Sequence, residues 1–194
     1  MSREFPNELW RLYGSDAIAK GDYGDAIRHF THAARYGDKY SQHRISLLYW
    51  HGAGVEQDRA LAYAWADLAA ERLYPSFVVL REKIWMALDE AERARALQVG
   101  QAHYDEYGDE VAKPRLAQAI ASSTRQITGS RTGFYDGRLQ VIGPSRGGGL
   151  MGDVGNFDLS PMYAGWRRDA GRYWAVEDAV WAHGHVDVGE VQRT

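Results

Sequence analysis

Residues 41–70, SQHRISLLYWHGAGVEQDRALAYAWADLAA, decide the fold. They read as two amphipathic helices folded back on each other across a glycine turn. Ile45, Leu48 and Tyr49 recur at helical spacing, and small Ser41 and Ser46 leave room for a neighbouring helix. Gly52 and Gly54 break the first helix, because glycine takes positive φ without steric cost. Asp58 is placed to cap the second helix by accepting hydrogen bonds from its first free N–H groups. Beyond it, Leu61, Ala62, Trp65, Leu68 and Ala69 form one apolar stripe.

The series Tyr49, Gly52, Gly54, Val55, Asp58, Ala62, Trp65, Ala69 and Ala70 resembles one unit of the Sel-one-like repeat family, α-solenoids related to tetratricopeptide repeats. That resemblance implies a right-handed stack of helical hairpins that binds other proteins, usually without catalysis. It also implies that the matching positions carry structure rather than chemistry.

Towards the N-terminus, residues 7–20 read as a helix with Leu9, Leu12, Tyr13, Ala17 and Ile18 at suitable spacing. A turn at residues 20–23 leads to a second helix with Ala26, Ile27, Phe30, Ala33 and Ala34. A shift of 36 residues aligns Ala26 with Ala62, Ala33 with Ala69 and Ala34 with Ala70, the fixed offset expected of stacked hairpins. Gly37 is a plausible C-cap for the first unit. The second unit has Leu73 there, followed by Pro75, which leaves its exit geometry open.

Towards the C-terminus, Phe77, Leu80, Ile84 and Leu88 continue the helical pattern. Asp89 and Glu92 have the spacing of a capping box for a long helix through Ala91, Ala94, Leu97 and Ala102 to Tyr107. Gly108 stops it, and a last helix spans residues 110–122 with Pro114 in its first turn. The expected fold is therefore mainly α: a short α-solenoid of seven helices, three hairpins and a closing one, over residues 1–122. The divergent third pair serves as the cap of the stack.

Residues 123–194 are expected to form a Gly- and aromatic-rich arm, irregular or partly β, packed on the helices. Residues 129–155 contain nine glycines, including Gly147, Gly148 and Gly149. Residues 133–143 suit a hairpin turning at Asp136 and Gly137. Phe157, Tyr163, Trp166, Tyr173, Trp174 and Trp181 make the rest too aromatic for a disordered tail. Residues 185–191 alternate like a half-buried strand.

The net charge of −3 gives no reason to expect nucleic acid or an anionic membrane as partner. With no cysteine, disulfides, thiolate zinc sites and cysteine nucleophiles are excluded. No apolar run is long enough to span a membrane. The opening stretch lacks the basic-then-apolar pattern of a secretory signal. The sequence as it stands therefore predicts a cytoplasmic protein, and a periplasmic or secreted one if a signal has been removed.

No coherent catalytic set emerges, and no cofactor is expected. His183, His185 and Asp187 are the best metal candidates, since imidazoles and a carboxylate can share one ion. They define the alternative reading, a metal-dependent enzyme with its site between helices and arm, against packing or surface histidines. The triple glycine lacks the Lys-Ser or Lys-Thr of a phosphate loop. Trp50, Tyr63 and Trp85 suit either the core or a groove that anchors a partner. Arg44, Arg59 and Arg72 add polar contacts or, as scattered charges, solvate the surface. The reading that covers most residues is a non-catalytic scaffold for another protein, folded domain or peptide. Its narrower form is an inhibitor or immunity protein for a bacterial enzyme, and a docking part of an envelope assembly is a third possibility.

Overall fold

The computed structural model describes residues 5–128, 140–141, 157–158 and 164–183. Seven helices follow one another: α1 (Pro6–Ala19), α2 (Tyr23–Ala34), α3 (Lys39–His51), α4 (Arg59–Ala69), α5 (Pro75–Ala87), α6 (Glu90–Tyr107) and α7 (Asp109–Thr128). An eighth, α8 (Ala170–His183), comes after a 3-10 turn at Gly165–Arg168. The chain is thus mainly α and built from helical hairpins, as the repeat reading expects.

The helix starts follow a common rule. Asp22, Asp38, Asp58 and Asp89 each accept a hydrogen bond from the N–H three residues on, at Asp25, Ser41, Leu61 and Glu92. Each such cap contributes about 1 kcal/mol. Glu92 returns a bond to the Asp89 N–H and completes the capping box. Gly52 closes α3 in the left-handed region at φ 67°. Gly54, at φ 73°, lies so close to Tyr23 that an added Cβ would sit 2.6 Å from that residue's backbone.

α1 pairs with α2 and α3 with α4, and α2 packs on α3 to join the two hairpins. Their shared core holds Ala17, Ala26, Phe30, Ala34, Ile45, Leu48, Trp65 and Leu68. The aligned alanines are buried in both units: Ala26 with Ala62, Ala33 with Ala69, and Ala34 with Ala70. Gly14 allows α1 close to α2, for a Cβ there would meet the Phe30 ring at 2.5 Å. The two units also leave by the same turn, Gly37 at φ 74° and Leu73 at φ 58°.

Three expectations need correction. α5 and α6 do not form a third hairpin like the first two, because each packs chiefly on α4. The Arg93 guanidinium lies over the Trp85 ring at 5.2 Å and donates to the Trp85 carbonyl, filling a space that alanine-lined helices would close. On α6 only Ala96 is buried, while Leu97 is 66% exposed. α7 begins at Asp109, so Pro114 falls in its second turn. There it removes a bond to the carbonyl of Glu110, an exposed residue that water reaches. Finally, the aromatic segment around Tyr173 to Trp181 is the regular helix α8, not an irregular one.

A two-residue bridge pairs Gln140–Val141 antiparallel with Phe157–Asp158. The turn expected at Asp136 and Gly137, the triple glycine and the strand expected at 185–191 lie outside the described residues. Among the described residues, no helix is long and apolar enough to cross a membrane.

Leu73 holds a left-handed backbone while its side chain is 71% exposed, so it is strained and buries little in return. Leu73→Gly is expected to raise stability by about 0.5–1 kcal/mol, the relief of strain exceeding the added freedom of the unfolded chain. Urea unfolding with an unchanged slope checks it. A loss of stability would mean that this turn does not need the left-handed conformation.

Candidate functional site

The surface made by α1, α3, α5 and α7 holds α8. At its start, Tyr173 is fully buried, its hydroxyl accepting from the Asn7 amide at 2.6 Å and donating to Glu8 at 3.0 Å. Its ring stacks on Phe5 at 5.3 Å. Just before the helix, Arg167 pairs with Glu8 at 2.5 Å and covers the Phe5 ring at 4.1 Å. Trp174 lies under the Arg72 guanidinium at 4.3 Å, with the Lys113 ammonium at 5.6 Å. One turn on, Glu177 faces Arg11 at 3.6 Å, and Asp178 faces Arg72 at 3.5 Å and accepts from the Tyr74 hydroxyl. A further turn on, Trp181 stacks on Tyr40 at 5.7 Å and packs on Phe77 at 5.9 Å. Aromatic, acidic and aromatic residues thus succeed one another along one face of α8.

Beneath α8 lies a buried ion network. Lys39 is 2% exposed and reaches Glu71 at 2.5 Å, Asp109 at 3.0 Å and the Leu68 carbonyl at 3.0 Å. Arg72 grips Asp109 through two bonds of 2.6 and 2.8 Å and also bonds the Gly37 carbonyl at 3.1 Å. Glu71 accepts from the Asp109 N–H, which ties α7 to the end of α4. Burial lowers the pKa of the Lys39 amine, with Asp109 and Glu71 opposing it. Burial would raise the Asp109 carboxyl, but its bonds to Arg72 and the charges of Lys39 and Arg72 hold it well below the usual carboxylate range. Arg72 is therefore a buried structural cation, its side chain 8% exposed, and not the surface charge that sequence reading expects.

Trp50, Tyr63, Trp85 and Arg59, singled out as partner contacts, gather elsewhere, around the joint of α3, α4 and α5. Trp50, Tyr63 and Trp85 are all half-buried against one core cluster. The Arg59 guanidinium covers the Trp50 ring at 4.7 Å, donates to the Ala87 carbonyl and reaches Glu92 at 3.3 Å. Tyr63 and Trp85 approach to 4.7 Å. Arg44 stands apart, 6.0 Å from the Tyr40 ring.

Sequence reading missed the buried ions and the α8 contacts. The periodic signal was present, since Tyr173, Glu177 and Trp181 are four residues apart. His183 ends α8, and its alternative partners His185 and Asp187 lie outside the described residues. Among the described residues, no three His, Asp or Glu side chains are grouped to hold a metal.

No family model matches the chain, and no curated protein matches it. Its backbone is similar to the crystal structure of a protective antigen present in uropathogenic Escherichia coli strains displaying an SLR fold, with a TM-score of 0.49 and 23% identity. The match covers 58% of this chain and 25% of that one, so this chain spans about a quarter of the antigen's length.

Arg72→Met leaves Asp109 with Lys39 and Lys113 but unpairs the Gly37 carbonyl and uncovers Trp174, so it is expected to cost about 1–3 kcal/mol in urea unfolding. Arg28→Met, which removes an exposed pair with Asp25, is expected to cost less than about 1 kcal/mol. His43 is buried, stacks on Phe77 at 4.8 Å, and has no hydrogen-bond partner on either ring nitrogen among the described residues. Burial, aided by the charge of Arg44, pushes its pKa down to about 4. A base held below its unfolded pKa leaves stability intact above about pH 6.5 and erodes it as the pH falls towards 4, by up to ~1.4 kcal/mol per pH unit. His43→Leu is expected to flatten that slope in unfolding measured from pH 7 to 4.5. Parallel curves for the two proteins would refute it.

Proposed function

We propose that the protein is a non-catalytic scaffold that holds another protein, with residues 1–122 as the repeat domain and 123–194 as the arm on it. The supporting observation is the gathering of Trp50, Tyr63 and Trp85 from three successive helices, each only partly buried, with Arg59 laid over Trp50. Large rings and arginines of this kind supply most of the binding energy in protein interfaces, because they bury much area at little entropic cost. Arg44, with no carboxylate partner among the described residues, supplies a rim contact for an acidic side chain. In the narrower form of this reading the partner is an enzyme that the bound chain blocks, and a toxin gene beside this one would single that form out.

Affinity purification from the source cells tests the scaffold reading, comparing the wild type with Trp50→Ala/Trp85→Ala after both are shown to be folded by circular dichroism. The expected result is a specific partner whose recovery falls by at least about tenfold in the variant. A partner recovered equally by both proteins would place the interface elsewhere, and no specific partner under gentle conditions would count against a scaffold.

A further inference from the structure

The geometry points to α8 as a resident occupant of a helix-binding groove on α1, α3 and α5, one that a partner's amphipathic helix displaces. The inference rests on the scaffold reading and names the partner's chemistry: a helix with aromatic residues one turn either side of an acidic one.

The groove and α8 complement each other in charge. Arg11 and Arg72 offer cations from the helical stack, and α8 brings Glu177 and Asp178 to them. Trp181 then fits between Tyr40 and Phe77. An incoming helix with the same sequence of groups finds the same partners.

The hold on α8 weakens along its length. Its first turn is sealed by Tyr173 and Trp174, but further on Val176 and Val180 are exposed, the latter 56%. The ion pairs there are long, at 3.6 and 3.5 Å, and the Tyr74 hydroxyl, donating to Asp178, is the closer polar hold at this turn. The Glu177 carboxyl is buried near two other acids, Asp38 and Glu8, with Arg11 as its cation. Beside Trp181 an open cavity of about 410 Å³, lined by Glu8, Arg11, Leu12, Ser15, Tyr40 and Trp181, leaves part of the groove unfilled. The interface also strands polar atoms: Asn7 Oδ1, Arg167 Nε and Trp174 Nε1 are buried with no hydrogen-bond partner among the described residues. Buried polar atoms without partners disfavour the closed state. Segments with few buried apolar contacts open first, so the last turns of α8 give a competitor its entry. The open cavity is the foothold.

A cis occupant lowers the apparent affinity of a competitor by the fraction of molecules in which the groove is free. Weakening α8 within the chain therefore strengthens binding from outside. The test uses the full-length chain and a fluorescein-labelled peptide of residues 164–183 as the probe. Trp181→Ala in the chain is expected to tighten peptide binding by at least about tenfold over the wild type, because it weakens cis closure without touching the groove. Asp178→Ala is the second variant, expected to act in the same direction should Trp181→Ala fail to fold. A peptide with Tyr173, Trp174 and Trp181 replaced by alanine should bind none of them.

Equal peptide affinity for the wild type and a folded variant, or no saturable binding up to about 100 µM, would overturn the inference and make α8 a permanent part of the core. Dimerisation of Trp181→Ala in sedimentation would overturn it too, by making a second copy the occupant. The Trp50→Ala/Trp85→Ala protein should bind the peptide as the wild type does, so the groove and the aromatic cluster stand or fall separately.

Discussion

Close helix approach through small side chains is the constraint on which the rest of this structure depends. Where α2, α3 and α4 meet, the chain presents alanines and serines that are almost fully buried, among them Ala26, Ala33, Ala34, Ser41, Ser46, Ala62 and Ala69. Such residues let backbones lie close, so a few large groups, Phe30, Trp65 and Leu68, fill what remains. Hydrophobic burial stabilises the stack, but small residues decide its spacing. Gly14 under Phe30 and Gly54 against Tyr23 extend the same rule to α1 and to the α3–α4 turn. Where the rule lapses, at Trp85 and Arg93, the third pair of helices spreads apart.

The stack was legible in the sequence because its determinants are local. Asp caps, glycine stops and periodic alanines act within a few residues of where they stand, and the 36-residue echo reports their repetition. The gap in that echo was not legible: Leu73 left the exit of the second unit open, and only the structure shows it in the backbone of its glycine counterpart. The α8 surface was hidden because its partners are remote. Asn7 and Tyr173 are 166 positions apart, and no local pattern announces that a distant tyrosine needs an amide. Arginine and lysine raise the same difficulty. Nothing near Lys39 or Arg72 in the chain distinguishes a buried ion from a solvated one, because Asp109 is supplied by a later helix. The meeting of Trp50, Tyr63 and Trp85 lies between these extremes: each ring stood out alone, and only the hairpin geometry joins them.

Two kinds of surface therefore coexist on one helical frame. The aromatic cluster at the α3–α5 joint belongs to the repeat units themselves and is backed by Ala60, Ala66 and Ile84. The α8 groove instead draws on the mouths of several helices, with charges set into it from below. Arg72 serves both purposes there, since the same guanidinium that neutralises Asp109 offers its face to Trp174. A cation fixed in this way loses little freedom when an aromatic ring settles on it.

The bonds that fasten the repeat units also bear on how such a chain could have grown. Arg72 reaches back to the Gly37 carbonyl and fastens the second unit to the exit turn of the first, while Lys39 reaches the Leu68 carbonyl within the second unit and closes α3 on α4. Neither residue recurs at the repeat interval: Tyr36 stands where Arg72 would be echoed, and Pro75 where Lys39 would be. A copy of the first unit spliced in here would arrive without the Arg72 fastening, since Tyr36 stands in its place. The seam is thus an asymmetric joint, and lengthening the solenoid by copying its first unit would require new chemistry at the splice.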